Sequence, residues 1–118
     1  MNMFACIHCR SVSNDGAKSS ALADLAFTFS PLVEQTSADT AVFDITGQDL
    51  LFGKHERDVT TSIAQAIRQR ARQMKINLNV SLAVNPDVAI HGARSFAGIT
   101  IIDAGDELLH RFVRFLLH

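Results

Sequence analysis

Residues 32–45, LVEQTSADTAVFDI, contain two extended segments, Leu32–Thr36 and Thr40–Ile45, separated only by Ser37, Ala38 and Asp39. So short a link can join only antiparallel neighbours, because a parallel return needs a crossover of a dozen residues or more. The hairpin lies between two helical patterns, and that placement narrows the fold more than any other feature. Before it, Leu22, Leu25, Ala26 and Phe29 recur at helical spacing, Ser19 and Ser20 offer N-cap types, and Pro31 ends the run. After it, Asp58 caps VTTSIAQAIRQRARQMK, in which Val59, Ile63, Ile67, Ala71 and Met74 keep a 3.6-residue period over four turns.

Strand patterns flank both helices. Met3–Cys9 is a short apolar run, and Asn77–Val84 alternates polar with apolar residues. Asn85, Pro86 and Asp87 turn the chain into a short helix ending near Ser95, and Gly98–Asp103 reads as a buried strand. Gly105 and Asp106 open a last amphipathic helix running to His118. The order β-α-β-β-α-β-α-β, with its trailing helix, predicts an α+β, ferredoxin-like, mixed or antiparallel sheet with helices on one face. The opposite face is then open to a substrate, a nucleic acid or a neighbouring domain.

With 118 residues, 47% of them apolar and 19% charged, the chain is one domain's worth and can bury a core. A formal net charge of −1 argues against holding nucleic acid by bulk phosphate attraction, though it permits a local basic face. Trp and Tyr are absent, so stacking on bases would fall to Phe, His or Arg. The opening residues carry no basic secretory n-region, and no stretch approaches the ~18 apolar residues of a membrane span. The expectation is a soluble, cytoplasmic protein. Cys6 and Cys9 form CIHC around His8, but a strand points Cys6 and His8 to one face and Cys9 to the other. A partly buried strand with free thiols is the preferred reading over a metal site.

Asp39 sits at the mouth of an apolar strand, where metal-dependent phosphoryl-transfer sites keep their acids, yet Thr40 follows it rather than a second acid. The words TSADTAVFDIT (36–46), the helix over 58–75, VSLAVNPD (80–87) and GITII (98–102) stand in the order of a known series. Residues 21–103 resemble the palm domain of Y-family (translesion) DNA polymerases. That resemblance implies a single palm-like domain over residues 1–118, with fingers, thumb and little finger absent. Only about ten residues, Arg10–Ser20, stand where the family inserts its fingers.

The departures concern the chemistry. Active members place two adjacent acids where this chain has Asp39 and Thr40, and a third on the first strand, where this chain has Cys6, His8 or Cys9. Two Mg²⁺ ions roughly 3.5–4 Å apart need several carboxylate oxygens. The family's triphosphate lysine has no counterpart either: no lysine follows Lys75, and the segment offers Ile90, His91 and Arg94. The phrases SPLVEQTSADTAVFDITG, LFG and NPDVAIHGARSFAGITII resemble the ImuB-like branch, whose members have lost catalytic residues and serve as adaptors in mutagenic repair. The resemblance implies a catalytically inactive protein of DNA repair, translesion synthesis and the SOS response. It implies no cofactor, with Asp39 as a vestigial candidate. The alternative is a minimal metal-dependent nucleotide-binding or nucleotidyl-transfer enzyme using Asp39 and Mg²⁺, with Asp44 or Asp103 as second acid.

Three further features have two readings each. Arg68, Arg72 and Lys75 fall at i, i+4 and i+7 of a helix, a solvated face or a weak DNA-backbone contact. QDLLF (48–52) has the shape of a sliding-clamp-binding peptide, but it lies between two glycines, where Leu51 and Phe52 would anchor a core. The terminal helix is apolar nearly all round, so Phe112, Phe115, Leu116 and Leu117 predict a contact with a protein partner or a second copy. Asp44 should share a face with Val42 and is expected to be hydrogen-bonded to the glycine turn.

Overall fold

The computed structural model describes residues 3–9, 16–46 and 56–102. The elements run β1 (Phe4–Cys9), α1 (Gly16–Phe29), β2 (Val33–Ser37), β3 (Thr40–Asp44), α2 (Glu56–Gln73), β4 (Leu78–Ala83), α3 (Pro86–Ser95) and β5 (Ile99–Ile102). The sheet order is β2-β3-β1-β4-β5. β1 is central and antiparallel to both neighbours, and β4 and β5 are parallel, as a helical crossover through α3 requires. The first four strands with α1 and α2 form the ferredoxin-like α+β arrangement, and β5 makes the sheet mixed.

The hairpin forms where the short link demanded it. Val33 pairs with Phe43, Glu34 with Val42 and Gln35 with Ala41, and a bulge between Gln35 and Ser37 precedes the pairing of Ser37 with Thr40. Strand parity then sorts the core into two layers. Ala5, Ile7, Cys9, Ala41, Phe43, Leu78, Val80 and Leu82 face Leu22, Leu25 and Ala26 of α1 and Ile63, Ala64, Ile67 and Ala71 of α2. Phe29 closes that layer, its ring 6.5 Å from that of Phe43 at 26°. Each fully buried large side chain here contributes about 1.5–3 kcal/mol of transfer free energy.

The opposite face carries Cys6, Val42, Ala83 and Ile102, packed on Val88, Ala89 and Ala93 of α3. The two long helices therefore share one face, as the sequence suggested, while the short α3 lies across the other. Closeness explains how α3 fits. Gly92 sits against Ser81, and a Cβ at position 92 would overlap the Ser81 Oγ and stand 3.2 Å from Ile102 Cδ1. Asn85 caps α3, its Oδ1 accepting from the Asp87 and Val88 N–H groups at 2.8 and 3.4 Å, and Pro86 occupies the first turn.

Three helix boundaries differ from the sequence reading, the first being that α2 begins at Glu56, so Asp58 lies inside it rather than capping it. α1 begins at Gly16, so Ser19 and Ser20 lie inside it rather than capping it. α2 ends at Gln73. The Ile76 N–H bonds to the Ala71 carbonyl and the Lys75 N–H to the Arg72 carbonyl, which places Lys75 at φ 60° in a left-handed cap. Among the described residues no helix is long and apolar enough to cross a membrane. The clamp-like QDLLF (48–52), the terminal helix with Phe112, Phe115, Leu116 and Leu117, and Asp103 lie outside the described residues.

Candidate functional site: the Asp39 turn

The β2–β3 turn is held against the end of β1, the Cys9 N–H donating to the Asp39 carbonyl at 2.9 Å. Register completes the site. His8 pairs with Thr40 across β1 and β3, which sets the imidazole beside the turn. α3 runs across the same face and delivers Arg94 from its last turn. Asn79 fixes that end of α3, its Nδ2 donating to the Ala93 carbonyl at 3.0 Å while its Oδ1 accepts from the Gly98 N–H at 3.2 Å.

Four side chains converge on the Asp39 carboxylate. Oδ1 accepts from the Ser37 hydroxyl at 2.5 Å and the Thr40 hydroxyl at 2.8 Å. Arg94 Nη1 stands 4.0 Å from Oδ1, and His8 Nδ1 stands 3.8 Å from Oδ2. His8 Nδ1 is also 3.1 Å from Thr40 Oγ1. A hydroxyl has one proton. With that proton given to Asp39, Thr40 accepts from His8, which assigns the ring hydrogen to Nδ1. The hydrogen bond from Ser37 holds the Asp39 carboxyl below its ordinary value, partial burial opposes it, and Thr40, His8 and Arg94 add to the lowering.

Cys6 lies one strand step further in. Its thiol is pushed up to about 12 by burial; the Arg94 charge works against that rise and the Asp39 charge adds to it. A thiol so placed is protonated at neutral pH and is no nucleophile. Cys6 and Cys9 are both free and buried, in opposite core layers, as parity required.

The Mg²⁺ pair of the resembling family does not fit here. Its site would need converging carboxylates; Asp39 supplies one, already engaged by two hydroxyls and faced by a guanidinium and an imidazole. His8 is the first-strand side chain that faces the Asp39 carboxylate, so the position expected for a third acid holds an imidazole. Among the described residues no group of three or more His, Cys, Asp or Glu side chains is placed to share a metal ion. Asp44 cannot serve as second acid: it ends β3 where Asp39 precedes it, ~17 Å away along an extended strand. Its Oδ1 accepts from the Thr46 N–H at 2.7 Å, the turn bond expected of it. β5 ends at Ile102 beside Ala83, at that same far end of the sheet.

The basic residues are placed separately. Arg68 is half-buried beside Gly98, and Arg72 is exposed on α2. Lys75 is exposed but lies past the helix end, so the expected three-residue helical face reduces to Arg68 and Arg72. Reasoning from sequence missed Asn79, and it left His8 and Arg94 as substitutes for family residues rather than as partners of Asp39. The alternation Asn77-Asn79-Ser81 on a strand buried on both faces was the available signal. No family model matches the sequence, and no curated protein matches it.

Proposed function

We propose that this chain is a catalytically inactive, Y-family-polymerase-like palm of the ImuB-like kind, acting in the cytoplasm as an adaptor or interaction module in DNA repair and damage tolerance. One observation carries the reading. The carboxylate standing where the family binds metal is faced by the protein's own Arg94 guanidinium and His8 imidazole. A divalent cation brought to Asp39 would meet the like charge of the guanidinium that already stands 4.0 Å from its ligand oxygen. The order of strands and helices supports the palm resemblance, and the words in 36–46, 80–87 and 98–102 support the branch.

The protein's work is then done by contact with other macromolecules. A protein partner is the expectation, through the terminal helix or another surface, with a DNA contact through Arg68 and Arg72 secondary and weak. The test is calorimetry of the chain with dATP and Mg²⁺ or Mn²⁺, alongside primer extension. The expected result is no metal-dependent nucleotide binding and no extension. Saturable binding that disappears in Asp39→Ala would instead favour the nucleotidyl-transfer alternative.

A further inference from the structure

α3 covers the sheet face opposite α1 and α2 over Cys6, Ala83 and Ile102, reaching only Val42 of the hairpin side. Parity sets four side chains together on the part of that face built by β2 and β3. Glu34 pairs with Val42, and the Asp44 N–H donates to the Leu32 carbonyl at 3.1 Å. Phe4 pairs with Asp44 across β1 and β3. With Pro86 these residues line an apolar groove of about 340 Å³, Val42 buried at its floor and Leu32 exposed at its margin. Small-ligand sites occupy roughly 300–1,000 Å³ and combine mostly apolar walls with a few polar groups that orient the ligand. The groove has that size and that make-up.

The charges select the ligand. Both ionisable side chains lining the groove are carboxylates, Glu34 and Asp44. They occupy diagonal positions of an antiparallel pair, about 7–8 Å apart, so a group set between them reaches both. Asp44 Oδ1 accepts from the Thr46 N–H at 2.7 Å, which leaves Oδ2 for a ligand. Arg94 and His8 attend Asp39 at the opposite end of β3 and do not offset these acids. The N-terminus of α3 brings a partial positive charge near Pro86, but Asn85 caps it and Asp87 stands in its first turn. Nucleotides, nucleic acid and other anions are repelled by such a rim. A hard metal ion gains no ligands from apolar walls and gives up its water reluctantly. A flat, delocalised cation is weakly hydrated, and its rigid fork of N–H donors matches carboxylates.

We propose that this groove is a binding site for a small organic cation with an amidinium or guanidinium head and an apolar body. The head lies between Glu34 and Asp44 and donates N–H bonds to both carboxylates. The body lies over Val42, against Phe4 and Pro86. A cavity of roughly 150 Å³ already takes a benzene ring, so the groove holds a ring together with its charged substituent. The inference goes beyond the adaptor reading and does not rest on it, because the groove's chemistry stands without the palm resemblance.

The test titrates the full chain, labelled with nitrogen-15, with benzamidine and with benzamide, its neutral counterpart of the same shape, and follows the backbone amide resonances. Benzamidine is expected to shift the Phe4, Val42 and Asp44 amides saturably, and benzamide to bind about tenfold or more weakly, having lost the charge-assisted bonds. Glu34→Gln combined with Asp44→Asn is expected to bring benzamidine down to the affinity of benzamide. Glu34 is exposed, and asparagine keeps an oxygen for the Thr46 N–H, so the fold should persist. The comparison of the two ligands on wild type decides the matter even if the double variant does not fold. Equal affinity for both ligands, no saturable shift, shifts centred away from the groove, or a folded double variant that binds unchanged would overturn the proposal. So would a dimer by light scattering whose dissociation on dilution moves the same amides, since the groove would then be a self-interface. None of these outcomes bears on Asp39, which the nucleotide calorimetry tests separately.

Discussion

Replacing Asp39 with alanine separates a structural anion from a catalytic one. The substitution removes two hydroxyl hydrogen bonds, at 2.5 and 2.8 Å, leaves Arg94 without its counter-ion and takes the carboxylate from beside His8. A hydrogen bond to a charged group contributes about 1.5–3 kcal/mol, and a half-exposed ion pair about 0.2–1 kcal/mol. The Asp39 side chain is 27% exposed, so water replaces part of each interaction. A net loss of about 2 kcal/mol follows, which lowers Tm by roughly 8 °C in a domain of this length. The pH dependence fixes the cause. Asp39 ionises below its ordinary value when folded, so it binds fewer protons folded than unfolded. Its contribution is complete above the unfolded value of about 3.9 and is lost as pH falls through the lowered folded value. Urea melts of wild type and variant from pH 7 to pH 2.5 should show the gap closing only below about pH 4. A gap independent of pH, or smaller than about 0.5 kcal/mol at pH 7, would refute the role assigned to the carboxylate.

Four other outcomes are expected. Ser81→Ala should raise stability by about 1 kcal/mol in denaturant melts, because the Ser81 hydroxyl is fully buried with no hydrogen-bond partner among the described residues. Gly92→Ala, in contrast, should lower it by about 1–3 kcal/mol despite alanine's better helix propensity, since the new methyl meets Ser81 and Ile102. Lys75→Gly should add about 1 kcal/mol by relieving a left-handed residue at a helix cap, measured the same way. Cys6, its thiol pushed up to about 12 by burial, should resist iodoacetamide at pH 8 in the native protein and react on unfolding, by mass spectrometry.

The hairpin was legible because three residues cannot join parallel strands, and α2 because Ile63, Ile67 and Ala71 repeat over several turns. Periodicity shows which residues a helix buries but not which side of a sheet receives them. That is why α3, whose buried residues Val88, Ala89, Gly92 and Ala93 are small, gave no sign of crossing to the second face. Nor can a stripe locate a helix end: Met74 still packs on the core although α2 has ended at Gln73 and the backbone turns at Lys75. Sequence marked Asp39 as a lone acid and His8 as a base on the same face as Cys6. Bringing His8 to Asp39 needed the β1–β3 register, and bringing Arg94 needed the placement of α3. The groove was invisible for the same reason, since Leu32 and Glu34 join Phe4 and Asp44 only once the strand order is known.

Whether the Arg94 guanidinium and the His8 imidazole have taken the place of metal at Asp39 is most directly read by electron paramagnetic resonance of Mn²⁺ titrated into wild type and Asp39→Ala at pH 7. Identical titrations are expected, with no stoichiometric site dependent on Asp39. Two tight Mn²⁺ ions per chain, spin-coupled and lost in Asp39→Ala, would contradict it.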